Sequence, residues 1–149
     1  MPTNEIAPAF AADEVATCLR IRWTVFVEEQ NVPPSMEVDE HDREAGTIHL
    51  LGLCDGIPAG TGRLVPLAGG AMGKIGRLAV IDDVRGRGLG KLLLQSLEEE
   101  ARRRGMREVT LGAQVHARAF YERLGYRASG EVFDDAGIPH IEMRKKLGT

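Results

Sequence analysis

Seven residues, Arg85-Gly86-Arg87-Gly88-Leu89-Gly90-Lys91, separate a run of strand formers from an amphipathic run. Lys74 to Val80 before them reads as a strand, and after them Leu89, Leu92, Leu93, Leu97 and Ala101 fall at helical spacing. A strand entering a helix through glycines demands a sheet with that helix packed on it, and it leaves the N–H groups of the first helical turn without partners. Those groups and the helix dipole favour an anion, and glycines let the backbone approach phosphate oxygens closely. Arg85, Arg87 and Lys91 add charge, and the planar arginine fork can hold phosphate through two bonds. Arg85, Gly86, Arg87, Gly88, Leu89, Gly90 and Lys91 are therefore expected to form an anion-binding loop. Taken alone, the heptad also fits a glycine-rich turn with solvated charges.

Two familiar phosphate motifs do not fit. A dinucleotide fingerprint needs glycine where Lys91 stands, and a P-loop needs glycine at Arg85 and Ser or Thr at Leu92.

The rest of the chain surrounds this unit with further strands and helices. A helix is expected from an N-cap at Asp13 to about Glu28, with imperfect periodicity, and Asn31-Val32-Pro33-Pro34 ends it. The acidic stretch Met36 to Asp42 reads as a loop. Thr47 to Cys54 and Ile57 to Leu67, joined by Asp55-Gly56, read as an antiparallel hairpin. Arg102-Arg103-Arg104-Gly105 closes the central helix, as cations and glycine do at a helix C-terminus. A strand from Glu108 to Ala113, a helix from Val115 to Leu124, and a strand pair over Tyr126–Phe133 and Ile138–Lys146 complete the series. This order predicts one α/β (α+β) domain over residues 1–149, a mixed sheet with helices on its faces.

At 149 residues and 43% hydrophobic content, one core can bury most of the apolar surface without disulfides or metals. A net charge of -3 argues against nucleic acid, which would call for a basic face, so any bound anion must be held locally. Cys18 and Cys54 sit in apolar patterns away from metal-ligand spacings, so buried thiols and no metal are expected. The first residues lack a basic and apolar leader, and no long uncharged stretch suggests a membrane span; the chain reads as cytoplasmic.

Arg85, Gly88 and Gly90 match the Arg/Gln-x-x-Gly-x-Gly/Ala signature of the GNAT superfamily of N-acetyltransferases, which the chain resembles. Gln114, Ala117, Tyr121 and Gly125-Tyr126 resemble that family's second block, with glutamine where asparagine is commoner. Arg22 to Gln30, Gly112 to His116 and Gly137 to Met143 extend the likeness to the ElaA-like branch, over nearly the whole chain.

The resemblance implies a sheet splayed at its centre, with acetyl-CoA inserted against the strand end Leu78-Ala79-Val80 and its pyrophosphate on the glycine loop. It implies that a backbone N–H near Val80 polarises the thioester carbonyl. Gln114 would meet the cofactor arm, Phe120 would pack, against pantetheine or core, and the Tyr121 hydroxyl would reach the thioester sulfur. On pattern alone Tyr121 fits a half-buried aromatic bracing the sheet equally well. His116 is the first candidate for general base because it follows the cofactor strand and imidazole titrates near working pH. His140 is a second candidate for base on the same ground, and Glu29 and Glu142 could hold an ammonium or relay its proton through water; all three are expected on the acceptor side. Glu29, Glu37, Asp39 and Asp42 could form an acidic lip for a cationic amine, or a solvated loop.

The expected activity is acetyl transfer from acetyl-CoA to a primary amine of a small molecule or peptide, by direct attack. Cys54 is not expected to carry the acyl group, because it lies in an apolar strand. The competing expectation is a CoA-binding regulatory module without turnover. The last strand could pair across a homodimer.

Overall fold

The computed structural model describes residues 3–148. Seven strands form one sheet in the order β1-β2-β3-β4-β5-β7-β6: β1 Asn4–Pro8, β2 Ile48–Cys54, β3 Ile57–Pro66, β4 Met72–Val80, β5 Glu108–Gln114, β6 Arg127–Asp135 and β7 Ile138–Lys146. The helices are α1 Ala12–Arg22, α2 Pro34–Glu37, α3 Leu89–Arg103 and α4 Arg118–Arg123. All neighbouring strands are antiparallel except β4 and β5, which run parallel and are joined across the sheet by α3.

Side chains alternate along the strands and feed two apolar clusters. On one face Leu89, Leu93, Leu94, Leu97 and Ala101 of α3 pack on Leu50, Leu64, Ile75, Val109, Leu111 and Met143. On the other, Cys18, Ile21 and Val25 pack on Leu51 and Ala79. The central helix thus buries Leu89, Leu93, Leu97 and Ala101 of the expected stripe together with Leu94, whereas Leu92 is only half-buried.

This helix lies directly against the backbone of β2 and β3. A Cβ on Gly62 would sit 2.8 Å from Leu97 Cδ1, and one on Gly60 would sit 2.9 Å from Leu93 Cδ1 and 3.1 Å from the Ala79 carbonyl oxygen. Gly60→Ala should therefore destabilise the protein by about 1–3 kcal/mol, because the backbone oxygen cannot yield. Urea unfolding measures this, and an unchanged midpoint would refute the close approach.

The hairpin of β2 and β3 turns at Asp55 (φ 53°) and Gly56 (φ 78°), and that of β6 and β7 at Ala136 (φ 53°) and Gly137 (φ 81°). Both central residues lie in the left-handed region, as tight two-residue hairpins require.

Several elements differ from expectation. Strand β1 pairs with β2 from Asn4↔Cys54 to Pro8↔Leu50, although its five residues carry too little pattern to announce themselves. The N-cap of α1 is Ala11 rather than Asp13; Glu14 reaches back so that Ala11 N–H donates to its Oε1 at 2.9 Å. The α-helix ends at Arg22 and continues as a π-helix over Trp23–Glu29, with Gln30 N–H donating to Val25 O at 3.1 Å. That change of period accounts for the imperfect helical spacing. The acidic stretch is also more ordered than a loop, holding α2 and a 3-10 turn over Glu40–Arg43 that Asp39 caps.

Candidate active site

Strands β4 and β5 pair only at Met72↔Glu108, Gly73↔Val109 and Lys74↔Thr110, then diverge. Beyond that point β4 stays bound to β3, with a register shift near Arg77, a non-glycine residue at φ 52°. A bulge of this kind increases local twist and turns the strand away from its neighbour. The N–H of Ile81 is used by Ala59 O at 2.9 Å, so strand alternation turns the N–H of Val80 toward the opening.

The glycine loop lies just past the end of β4. Gly86 (φ 81°) and Gly88 (φ 84°) both occupy the left-handed region, and Gly88 is the N-cap of α3 with no side-chain cap. The N–H groups of Gly86 through Lys91 donate to no backbone carbonyl among the described residues, so the fifteen-residue α3 presents an open N-terminus. The Arg85 side chain, which stays exposed, turns to the end of β4 and the π-helix instead. Its Nε donates to Val80 O at 2.9 Å, and its two terminal nitrogens donate to Glu29 at 2.6 and 2.7 Å. The hydrogen bonds from Arg85, with its charge, hold the Glu29 carboxyl below its ordinary pKa against the opposing effect of burial. Arg87 has its carbonyl held by Asn4 Nδ2 at 2.8 Å.

A cleft of about 310 Å3 opens where the strands part. Its walls come from the π-helix and the segment after it (Phe26, Gln30, Val32), from α2 (Met36, Glu37) and from β4 between Lys74 and Leu78. Leu111, Gly112 and Gln114 of β5, Ala117 and Tyr121, and Phe133 and His140 of the last hairpin close it. A single concavity therefore gathers Leu78, Gln114, Tyr121 and His140 from distant parts of the sequence.

Tyr121 sits edge-on to Phe120 (5.1 Å) and Tyr126 (5.9 Å), and burial pushes its pKa up to about 12. Its hydroxyl makes no hydrogen bond among the described residues, whereas that of Tyr126 donates to Glu98 at 2.7 Å. Phe120 is half-buried against the α3 side of the core. His140 stacks on Phe133 at 5.8 Å, and its Nδ1 donates to Ile138 O at 2.7 Å, which leaves Nε2 as the free acceptor in the neutral ring.

The other candidates lie elsewhere. His116 is exposed and outside the cleft walls, its Nε2 2.6 Å from Gln114 Oε1, while Gln114 donates to Gln30 at 2.8 Å. Glu142 accepts from Thr110 Oγ1 at 3.0 Å and from Arg144 Nε at 3.1 Å, away from the cleft walls. Cys54 is buried, with only a long 3.9 Å contact from Arg87 Nη1.

The acidic lip does not form, because its members are consumed by arginines that the sequence reading did not connect to them. Buried Arg22 donates to Glu37 Oε1 at 2.5 Å and to both carboxylate oxygens of Asp42 at 2.6 and 3.0 Å. Arg63 donates to Asp39 at 2.7 and 2.8 Å and to Asp42 at 2.9 Å. Burial pushes the Asp42 carboxyl up, but hydrogen bonds and charge from Arg22, with help from Asp39 N–H and Arg63, hold it well below the usual carboxylate range. Nearby His49 is buried, its Nε2 lies 3.3 Å from Asp42 O, and burial lowers its pKa. Arginine inside a strand at position 63 and late in a helix at position 22 was the available signal, since each must find a carboxylate if buried.

A parted parallel strand pair beside an uncapped helix N-terminus leaves one strand edge and one set of helical N–H groups open side by side. The chain belongs to the GNAT family: the acetyltransferase (GNAT) domain matches residues 6–147. It is 37% identical over 134 residues to the uncharacterized N-acetyltransferase YjcF of Bacillus subtilis, covering 89% of this chain and 93% of that one. It is 30% identical over 145 residues to Escherichia coli ElaA, covering 92% and 90% of the two chains, and the ElaA crystal structure superposes with a TM-score of 0.84. An acyl-CoA N-acyltransferase from Pseudomonas aeruginosa superposes with a TM-score of 0.83 at 34% identity, covering 97% and 99% of the two chains. The protein is thus an acyltransferase of the GNAT type, and the expected likeness to the ElaA branch holds. Among the described residues no helix is long and apolar enough to cross a membrane.

Proposed function

We propose that the protein transfers the acetyl group of acetyl-CoA to a primary amine of a small molecule or peptide by direct attack. The observation that carries this reading is the divergence of β4 from β5 after Lys74, next to the open N-terminus of α3. The unpaired edge of β4 at Leu78, Ala79 and Val80 suits pantetheine added like a strand. The N–H groups of Gly86 to Lys91, with the charges of Arg87 and Lys91, suit the pyrophosphate. Arg85 serves this site by fixing the loop to Val80 and Glu29.

Attack by a neutral amine places negative charge on the thioester oxygen, which the N–H of Val80 is turned to receive. Collapse of the adduct expels the CoA sulfur. Tyr121, with its pKa pushed up to about 12, stays protonated at working pH and stabilises the departing thiolate as a hydrogen-bond donor. The free Nε2 of His140 is placed to take the amine proton, and His116 would need to act through the Gln114 amide beside it.

Tyr121→Phe tests the reading. Its kcat should fall by about 100-fold while the acetyl-CoA Kd from calorimetry stays within about twofold of the parent. A variant that keeps full kcat removes Tyr121 from the chemistry. A parent without turnover on any amine, yet binding acetyl-CoA, defeats the transferase reading.

A further inference from the structure

We propose that the acceptor is an amine that also bears a carboxylate, which Lys74 and Arg77 bind on the β4 wall of the cleft. This specifies the substrate of the acetyl-transfer reading above and rests on it.

The carboxylates nearest that wall are already paired with arginines, with Glu37 Oε2 the one oxygen left without a hydrogen-bond partner. Glu37 and Asp42 are held by Arg22, and Asp39 is held by Arg63 and Arg77. Lys74, by contrast, forms no ion pair among the described residues, although it lines the cleft. Its neighbours Gly73 and Ile75 face the α3 core, so strand alternation puts Lys74 on the opposite face, where the cleft opens. An exposed lysine on an outer surface would need no explanation. One beside a substrate cleft at the point where two strands part is placed to meet a ligand.

Arg77 supplies a second, independent observation. It occupies the left-handed region at φ 52°, a conformation unfavourable for a side chain of this size, and the bulge it makes turns its guanidinium along the cleft wall. Its Nε donates to Glu37 O at 3.0 Å, and its Nη2 to Met36 O at 3.3 Å and Asp39 Oδ2 at 3.2 Å, whereas its Nη1 donates to none of the described residues. Burial foremost, then the like charges of Arg63 and Arg22, lowers its pKa against the pull of Asp39 and Glu37. An anionic group at Nη1 would offset that desolvation.

Distance along the strand fits the division of labour. Arg77 adjoins Leu78, where the thioester end is proposed to lie, and Lys74 stands four residues further back, about 13 Å along β4. Arg77 therefore meets a carboxylate close to the reacting amine, and Lys74 meets one further away. Asp135, on the opposite wall and without an ion pair among the described residues, suits the ammonium of such a zwitterion before it loses its proton.

The test pairs free amino acids and dipeptides with their C-terminal amides, using acetyl-CoA and following CoA thiol release. The acid of the best pair should exceed its amide in kcat/KM by at least about tenfold, in keeping with the loss of one charge-assisted contact. Lys74→Met should shrink that ratio to within about twofold when the favoured acceptor is a dipeptide. Arg77→Lys should do so when it is a single amino acid, and Lys74→Arg should retain the preference. Equal rates, preference for the amide, a ratio unmoved in both Lys74→Met and Arg77→Lys, or no turnover of any acid in a protein that binds acetyl-CoA overturns the proposal. Failure of the parent to bind acetyl-CoA overturns the acetyl-transfer reading itself, and this inference with it.

Discussion

Arg22→Met is expected to lower folding stability by about 3–5 kcal/mol, since it leaves the buried Glu37 and Asp42 carboxylates without their main cation. The loss should be larger than the transfer of one side chain would suggest, because Glu37 Oε2 already lacks a partner in the parent. Chemical denaturation of parent and variant at neutral pH measures the difference. A change under about 1 kcal/mol would mean that the network is no more than a solvated surface cluster. The parent carries a linked pH signature. The Asp42 carboxyl is held far below its ordinary value, so its stabilisation is complete above about pH 4 and is lost as pH falls through the folded pKa. Arg22→Met should weaken that acid dependence, with Arg63 preserving part of it.

Gly88→Asp is expected to raise the acetyl-CoA Kd by about 100-fold or more, roughly 2.7 kcal/mol. Two effects combine. The residue sits at φ 84°, where any side chain is strained, although aspartate tolerates the region better than most. Its carboxylate would also stand at the positive end of α3, where the pyrophosphate is proposed to bind. Gly88→Asn has nearly the same shape without the charge, so it should lose markedly less. Calorimetric titration of both variants decides the matter: equal losses would assign the effect to backbone strain, and unchanged affinity in both would remove the phosphate from this loop.

The loop and the helix after it were legible because glycine and leucine periodicity are local signals that tertiary packing had no reason to override. Resemblance located Leu78, Gln114 and Tyr121, and the structure brings these three to one cleft, with His140 from the last hairpin. The acidic segment departs from the expected loop for a physical reason. Glu37, Asp39 and Asp42 look like a solvated run in one dimension, and their partners Arg22 and Arg63 lie 15 or more positions away on other elements. The type of Arg85 points to phosphate, and nothing in the sequence points to its ion pair with Glu29, 56 positions earlier. Long-range ion pairs have no sequence period, and no count of charges reveals them. The π-helix is visible in the sequence only as a flaw in the spacing of the apolar residues Val15, Leu19, Ile21, Trp23 and Phe26.

The three residue pairs between β4 and β5 are a narrow seam between two smaller sheets, one built on β1 to β4 and the other on β5 to β7. A sheet normally derives its cohesion from continuous ladders, and here the ladder stops where the proposed ligand begins. Under the proposed reading, pantetheine supplies rungs that the polypeptide omits, so occupancy mends the sheet as well as filling a cleft. Under that reading one strand serves two partners: β4 keeps its ladder to β3 on one edge and offers the other edge, between Leu78 and Val80, to the ligand, with Arg85 already bonded to the Val80 carbonyl there.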